Sequence, residues 1–455
     1  MKTVDLIAKL EATSSLNEKK SLLSQAFENG NRDFFVGAKL AYNKLISFGV
    51  KKVPGVEESS EESSFSFSDF TNLVNRLRKR EITGHAARDE IADAAMSADA
   101  TEWNNFYRRV LLRDLKVNVG SSLINTVLKE VGKSDREALE YLIPAFECQL
   151  AEDSKKHPKK MSGRKLIDVK LDGARMLTVL DIDNQAVRMF TRNGIETFAF
   201  PHIAASLTGM LSELPMSIVL DGEILSDTFQ GLMSQFQRKD ADTKDMKLGL
   251  FDVIPLSDFT RGKCLIAQDK RHETLVDLQT SGLLQKYTGD KVYVIPKMEV
   301  DLSTPEGLAA MKAYFDEAVA AGFEGIMIKD PKAGYEGRKY SAWLKWKPTI
   351  SVTLKVVGLQ QGEPDSAFAG TLGALVLEGW DDVDDKTNVH IKSNCGSGFD
   401  VKTRQGWWDN PETIMGFMVE IEADAITLNK DATQTYSLRF PRLKGVRGTK
   451  PGEKI

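Results

Sequence analysis

One short run of side chains in this chain has an evident chemical use, the segment KLDGAR at residues 170–175. It places a lysine amine, which can act as a nucleophile, close to a carboxylate, a glycine and an arginine, and this combination suits attack on phosphorus. At average residue usage, a chance match to K-x-D-G-x-R in a chain of this length has odds of roughly one in a hundred. The run alone is therefore only a suggestion of function.

Charged residues on short strand-like runs recur in a fixed order after this segment. The runs are VLDGEI around Glu223, LGLFDVI around Phe251, FEGIMIKD around Glu324, WLKWKP around Lys345 and Lys347, and RFPRLKGVRGTK at 439–450. Their order and spacing resemble the nucleotidyl-transferase motifs of the covalent lysyl-nucleotide enzymes, namely DNA ligases, RNA ligases and mRNA capping enzymes. Five or six ordered motifs over about 280 residues argue strongly against an accidental likeness.

The resemblance implies roles for these residues in the transfer of AMP. Lys170 would attack the α-phosphate of ATP and become a lysyl-AMP phosphoramidate. Lys345 and Lys347, at alternate positions of a predicted strand, would face the same way and reach that phosphate. Phe251 would stack on the adenine ring, and Asp168 would accept a hydrogen bond from its amino group.

Other residues are assigned by the same resemblance to phosphates, ribose and metal. Arg175, and Arg192 in the run TRNG, would hold phosphate or ribose oxygens. Glu223 would contact the ribose or a magnesium ion, and Glu324 is the preferred metal ligand because Mg²⁺ favours few carboxylates together with phosphates and water. Asp172 is placed among the catalytic residues, although aspartate before glycine is also a common turn former.

The last motif departs from the family pattern. DNA ligases typically continue from FPR into Arg-x-Arg-x-Asp-Lys, whereas this chain has Gly445 at the first arginine and Thr449 at the aspartate. Arg442, Arg447 and Lys450 remain, and the resemblance assigns them to the pyrophosphate leaving group during lysine adenylation. The C-terminal region would then close over ATP for the first step and swing to the DNA afterwards.

Residues 1–138 are predicted to form an all-α domain, because apolar residues such as Phe34, Ala38 and Ala41 recur at helical spacing. Its basic residues could follow a phosphate backbone, although a solvated helix face explains such a run equally well. The segment 111–125 resembles the helical DNA-binding domain of large-phage, archaeal and eukaryotic DNA ligases, which favours the first interpretation. The predicted DNA-binding residues are Arg76, Arg78, Lys79, Arg80, Arg108, Arg109, Arg113 and Lys116.

Two further domains are predicted beyond this one. Residues 139–348 alternate strand-like and helical patterns, which indicates an α+β core, and the resemblance identifies it as a nucleotidyltransferase domain with ATP-grasp-like adenylation architecture. Residues 349–455 read as all-β, with Phe417, Val419 and Ile421 alternating with charged residues. For this last region the resemblance implies an OB-fold, a small barrel that commonly binds oligonucleotides.

Composition narrows the class of protein. A net charge of −4 gives no whole-chain sign of nucleic-acid affinity, so basic residues must be segregated if DNA is the partner. Cys148, Cys264 and Cys395 lie more than 100 residues apart and offer no zinc or disulfide framework, which opposes an NAD-dependent bacterial ligase with its four-cysteine module. No run of 18 apolar residues occurs, so an intracellular, cytoplasmic protein with no membrane contact is expected.

The sequence therefore predicts an ATP-dependent DNA ligase, similar to the three-domain ligases of large tailed phages. It would use ATP and Mg²⁺ to seal 5′-phosphate/3′-hydroxyl nicks in duplex DNA during replication, repair and recombination, as a monomer. An ATP-dependent RNA ligase and a non-catalytic nucleic-acid-binding scaffold of the same fold are the alternatives. Capping enzymes fit less well, because they lack the helical N-terminal segment and would need to recognise guanine.

Overall fold

The computed structural model describes residues 2–57, 63–225, 245–383, 386–429 and 434–449. The chain forms two compact units, each assembled from several segments. The first unit contains Met1–Glu152, Gly173–Pro296 and Lys329–Trp343, and the second contains Asp153–Asp172, Lys297–Ile328 and Leu344–Ile455. Domain boundaries at residues 138 and 348 remain a prediction.

The N-terminal part of the first unit consists of short helices around one apolar core. Phe27, Phe34, Phe35 and Trp103 are fully buried in it. Ser15 and Ser66 cap their helices by accepting hydrogen bonds from first-turn amides. The helices are Thr3–Ala12, Leu16–Glu28, Arg32–Tyr42, Phe67–Arg78, Gly84–Ser97, Ala100–Glu102, the π-helical turn Trp103–Tyr107, Arg108–Leu111, Ser121–Val131 and the 3₁₀ segment Arg136–Tyr141.

Strands predominate from residue 150 onwards, with helices between some of them. The strands are β1 Leu150–Asp153, β2 Arg164–Lys170, β3 Ala174–Asp181, β4 Ala186–Thr191, β5 Glu196–Thr197, β6 Ile218–Leu225, β7 Lys247–Pro255, β8 Lys263–Cys264, β9 Val292–Val294, β10 Met298–Asp301, β11 Gly325–Lys329, β12 Tyr335–Glu336, β13 Lys339–Trp346, β14 Ile350–Gln361, β15 Leu372–Val383, β16 Lys386–Cys395, β17 Met418–Ala423, β18 Ala425–Leu428, β19 Thr435–Arg439 and β20 Arg442–Val446. The longer helices among them are Pro201–Thr208, Leu256–Thr260, Gln268–Thr280, Leu283–Thr288, Pro305–Ala320 and Val401–Asp409. Mixed α/β content is therefore confirmed.

A six-stranded sheet in the first unit has the order β5-β4-β3-β6-β7-β9. Its strands pair antiparallel except for β7 and β9, which run parallel. Met176, Leu220 and Leu250 on neighbouring strands pack with the helices Pro201–Thr208 and Gln268–Thr280 in one core. Burial of these near-continuous apolar strands drives the sheet to form.

In the second unit, β10, β2, β11 and β13 lie side by side in that order. Ile167, Ile326 and Ile328 of this sheet pack against Met311 of the helix Pro305–Ala320. The helix begins at Pro305, because Thr304 accepts a hydrogen bond from the amide of the third helical residue and proline suits the first helical position.

The C-terminal part of the second unit is a curled β half-barrel. Its seven strands have the order β18-β19-β16-β15-β14-β17-β20, with register shifts between β14 and β15 that help the sheet to curl. Val352, Leu354 and Val356 alternate with exposed or half-buried residues along β14 and fill the interior. Nowhere in the described ranges does a helix have the length and apolarity needed to cross a membrane.

Candidate active site

Lys170, the last residue of β2, lies in a group of charged side chains within the second unit. Its Nζ donates to Oε2 of Glu324, and Nζ of Lys347 donates to Oε1 of the same carboxylate. Glu324 stands just before β11, the strand next to β2, and its backbone N–H donates to the carbonyl of Lys170 at 2.9 Å. Adjacent strands thus bring together residues that are far apart in the chain.

Gly325 permits this close approach of the backbones. Its φ of 133° is unfavourable for other residues, and a Cβ atom built there would lie 2.2 Å from the carbonyl oxygen of Trp346. Only glycine fits such a position without displacing the neighbouring strand. The glycine of the FEGIMIKD run therefore holds Glu324 beside the lysines at the end of β13.

The electrostatics of this group favour a bound anion. Burial alone would raise the pKa of Glu324, but the ammonium groups of Lys170 and Lys347 hold it below its ordinary value. Burial lowers the pKa of Lys345, and repulsion from the other two lysines lowers it further. Three lysines crowd around Glu324 here, and such a concentration of ammonium groups is suited to phosphate oxygens.

Residues of the C-terminal half-barrel extend the group. Lys347 Nζ lies 3.2 Å from Oδ2 of Asp424, and Arg442 donates to Oδ1 of Asp424 at 3.1 Å. Arg439 donates two hydrogen bonds to Asp172, at 3.0 and 3.1 Å. We call the set Lys170, Lys347, Arg439, Arg442, Asp172, Glu324 and Asp424 the Lys170 network.

Sequence reasoning missed two members of the Lys170 network. Arg439 stands in the RFPR run and could have been assigned with the arginine that follows it. Asp424 gave no such signal, because a lone aspartate between two strands resembles an ordinary turn residue.

Two predicted pyrophosphate ligands do not join the Lys170 network. Arg447 forms an ion pair with Glu420, which also accepts a hydrogen bond from Ser351 at 3.1 Å. Lys450 lies outside the described residues. Their assigned roles stay predictions.

Arg175 anchors a buried cluster in the first unit. Its Nε and NH2 donate to the two carboxylate oxygens of Asp221 at 2.8 and 2.6 Å, and its NH1 donates to the carbonyl of Gln149 at 2.7 Å. Burial alone would lower the pKa of Arg175, but Asp221 raises it well above its ordinary value. Each guanidinium nitrogen here has a protein acceptor, so the proposed contact with phosphate or ribose remains a prediction. Asp221 in VLDGEI was not singled out from the sequence.

Phe251 is half-buried within the same unit. Its ring meets Trp343 edge to face at a centroid distance of 6.0 Å. The guanidinium carbon of Arg175 and Nζ of Lys329 lie 5.3 and 5.0 Å from its centroid. These contacts fix the ring through cation–π attraction, and stacking on adenine remains a prediction.

Glu223 and Arg192 have different surroundings in the first unit. Glu223 on β6 is half-buried, and the strand register places it between Arg175 on β3 and Gly249 on β7. Arg192 is exposed and lines a cavity of about 430 Å³ together with Lys44 and other residues. Neither position tests the predicted role.

Asp168 forms a buried ion pair with Lys297 at 2.6 Å. The register explains this pair: Ile167 lies opposite Met298, so the next residue of β2 faces the residue before β10. Asp168 is only 1% exposed. Accepting a hydrogen bond from adenine, as predicted, therefore requires the pocket around this carboxylate to open.

The predicted DNA-binding residues separate into two groups. Arg78, Lys79, Arg80 and Lys116 are exposed, and Arg76 pairs with Glu90, with NH2 donating to Oε1 at 2.7 Å. The exposed group is accessible to a phosphate backbone, although Lys79 also lies 3.8 Å from the carboxylate of Glu81.

Three other predicted DNA-binding arginines are occupied within the protein. Arg108 donates to the carbonyl of Val53 at 3.1 Å, and Arg109 donates to that of Leu115 at 3.0 Å. Arg113 donates to the carbonyl of Asn43 at 2.6 Å, and burial lowers its pKa. These bonds hold loops together, a use that the sequence does not distinguish from DNA contact.

Metal-binding side chains are not clustered in the part of the chain that the structure describes. Within the ranges that the structure describes, no three His, Cys, Asp or Glu side chains are grouped to hold a metal ion. Mg²⁺ commonly takes one or two carboxylates with phosphates and water, so Glu324 fits as one ligand. Each of its oxygens already accepts from one lysine, and a phosphate that drew one lysine away would leave that oxygen more available to the metal.

Comparison with known proteins agrees with this geometry. Residues 147–347 match the family model described as ATP dependent DNA ligase domain. The DNA ligase of Haloferax volcanii is 27% identical over 81% of this chain, an alignment that spans 64% of that relative's length. The DNA ligase of Enterobacteria phage T4 is 24% identical, over 89% of this chain and 87% of its own. A solved structure named Pmar-Lig_PreS3 is 41% identical with a TM-score of 0.65, over 98% of this chain and 99% of that one. With similarity extending along nearly its whole length, the chain belongs to the ATP-dependent DNA ligase family.

Proposed function

We propose that this protein is an ATP-dependent DNA ligase that seals 5′-phosphate/3′-hydroxyl nicks in duplex DNA. One observation carries the proposal: Lys170 ends a strand inside a network in which four cations, Lys170, Lys347, Arg439 and Arg442, outnumber three carboxylates. Lys345 and Lys347 are beside it, and Glu324 holds two of the three ammonium groups. Membership in the family supports the same activity.

The first step would be adenylation of Lys170. Once released from Glu324 and deprotonated, Nζ attacks the α-phosphorus of ATP, a P–N bond forms, and the bond to the pyrophosphate oxygen breaks. Lys345 and Lys347 would stabilise the negative charge that crowds around phosphorus. Arg442 would receive the leaving pyrophosphate.

The second and third steps would use DNA. An oxygen of the 5′-phosphate attacks the lysyl-AMP phosphorus, the P–N bond breaks, and Lys170 regains its amine. The 3′-hydroxyl of the adjoining strand then attacks the 5′-phosphorus, loses its proton, and expels AMP. Because all three steps are phosphoryl transfers, positioning and cationic stabilisation should supply most of the rate.

Partners and architecture belong to the same proposal. Mg²⁺, when bound, would neutralise phosphate charge, with Glu324 as a protein ligand in the second unit. Glu223 in the first unit keeps its predicted contact with the ribose or a magnesium ion. The helical N-terminal region would form a separate all-α domain that grips duplex DNA through its exposed cations, and the half-barrel would be an OB-fold. The protein would work as a cytoplasmic monomer, because a clamp around DNA needs no second subunit.

Label transfer tests the proposal. The wild type, Lys170→Ala and the control Lys165→Ala, altered on the same strand outside the Lys170 network, are incubated with Mg²⁺ and α-labelled ATP or GTP. Nicked DNA or nicked RNA duplex is then added. Label from ATP that requires Lys170 and is discharged on sealing DNA is the expected result. Labelling from GTP or discharge only onto RNA would move the assignment to capping or RNA ligation, and no labelling would indicate a scaffold.

A further inference from the structure

Asp424 is held by two cations that the proposed function assigns to phosphates. It lies between β17 and β18, with Oδ2 3.2 Å from Nζ of Lys347 and Oδ1 3.1 Å from NH2 of Arg442. Each carboxylate oxygen faces a different cation, so the side chain bridges them. A pyrophosphate oxygen pair would present the same pattern with more charge.

The backbone places Asp424 there independently of these side-chain contacts. Ala423 pairs with Ile350 across β17 and β14, three residues beyond Lys347. The amide of Asp424 donates to the carbonyl of Arg439 at 2.9 Å, where β19 ends. The carboxylate is therefore carried to Lys347 by the sheet register, whereas Arg442 is 44% exposed and can change its anion readily.

We infer, on the basis of the proposed function, that Asp424 is a positioning residue that exchanges with pyrophosphate on Lys347 and Arg442. When ATP binds, its phosphates displace the Asp424 carboxylate from the two cations. After lysine adenylation the carboxylate returns, and pyrophosphate is expelled. Asp424 thus disfavours reversal of the first step.

The reverse reaction measures this competition directly. A pyrophosphate oxygen attacks the lysyl-AMP phosphorus, a P–O bond forms, the P–N bond breaks, and Lys170 takes up a proton as ATP is regenerated. A competing carboxylate raises the pyrophosphate concentration needed for this discharge. Removing its charge should lower that concentration, an effect opposite to that of damaging the site.

Asp424→Asn removes the negative charge and keeps the side-chain size. The full chain, preloaded with labelled AMP on Lys170, is titrated with inorganic pyrophosphate and discharge of label is followed. For Asp424→Asn we expect the half-maximal pyrophosphate concentration to fall about tenfold, whereas Asp424→Glu should stay near the wild type. Glu422→Gln is the matched control, because Glu422 lies two residues earlier and pairs with the exposed Lys444 at 2.9 Å.

An unchanged or raised half-maximal concentration for Asp424→Asn would overturn the inference, as would an equal fall for Glu422→Gln. If the wild type takes no label from ATP, the proposed ligase function fails instead. Asp424 is then tested by calorimetric binding of inorganic pyrophosphate to the unlabelled protein, which Asp424→Asn should bind more tightly. Should Asp424→Asn not fold, Asp424→Ser replaces it in both measurements.

Discussion

Asp221 provides a direct test of what stabilises the first unit. The side chain is fully buried and accepts hydrogen bonds from Arg175 at 2.6 and 2.8 Å and from the hydroxyl of Tyr335 at 3.0 Å. Asp221→Asn keeps the volume but turns one acceptor oxygen into an amino group that faces donors. The buried guanidinium also loses its counter-charge, and breaking such a pair costs about 3–5 kcal/mol.

The expected change in melting temperature follows from the size of the unit. Unfolding entropy is about 2.1 cal/mol/K per residue, so a loss of about 4 kcal/mol lowers the melting temperature of a body of this size by about 6 °C. Thermal unfolding, monitored by circular dichroism, measures this shift as a change in the midpoint of the unfolding transition that occurs at the lowest temperature.

Glu273→Gln is the matched control for this experiment, because Glu273 lies in the same unit. Glu273 pairs with Lys270 one helical turn away, and both side chains are more than half exposed. Exposed pairs of this kind contribute about 0.5 kcal/mol or less, so the melting temperature should change by about 1 °C at most. If Asp221→Asn melts together with Glu273→Gln, the buried pair does not stabilise the unit as argued.

Three further predictions concern the Lys170 site. The pKa of Glu324 lies below its ordinary value near 4.5. The ionised carboxylate therefore contributes its full stabilisation above about pH 4.5 and loses it as the pH falls through the lowered pKa. Below about pH 4.5, the melting temperature should fall more steeply for the wild type than for Glu324→Gln. Lys345→Met should raise the melting temperature slightly, because burial and repulsion from Lys347 and Lys170 lower the pKa of this ammonium. It should also slow label transfer from ATP at least about tenfold, and an unchanged or faster transfer would contradict the assignment. Gly325→Ala should lower the free energy of unfolding, measured with denaturant, by on the order of 1–3 kcal/mol and should impair lysine adenylation. The reason is that φ of 133° and the carbonyl of Trp346 leave no room for a methyl group. Unchanged stability would show that the backbone relaxes.

Much of the architecture was evident from local patterns. Apolar spacing predicted helices before residue 140, and helices occur there. It predicted an all-β region after 348, where strands predominate but the helix Val401–Asp409 was missed. A helix or strand that buries one face needs apolar residues at the period of that element. Such patterns can therefore be recognised from the sequence before the fold is known. The Lys170 motif was likewise recognisable, because the residues beside the nucleophile are its chain neighbours.

Which charged residues pair with one another depended on the tertiary structure. Arg439 meets Asp172 from 267 positions away, and Asp424 reaches Lys347 only because β17 pairs with β14. Arg113 donates to the backbone carbonyls of Ala41 and Asn43, about 70 positions earlier in the chain, and its contact with DNA stays a prediction.

The sequence by itself determined which residue types carry charge and where strands and helices can form, because both depend on side-chain chemistry and local period. The tertiary structure decided which charges are buried, which remain exposed and which counter-ion each one meets. The physical reason is that burial and ion pairing depend on strand order and register, which join segments that are far apart in the chain.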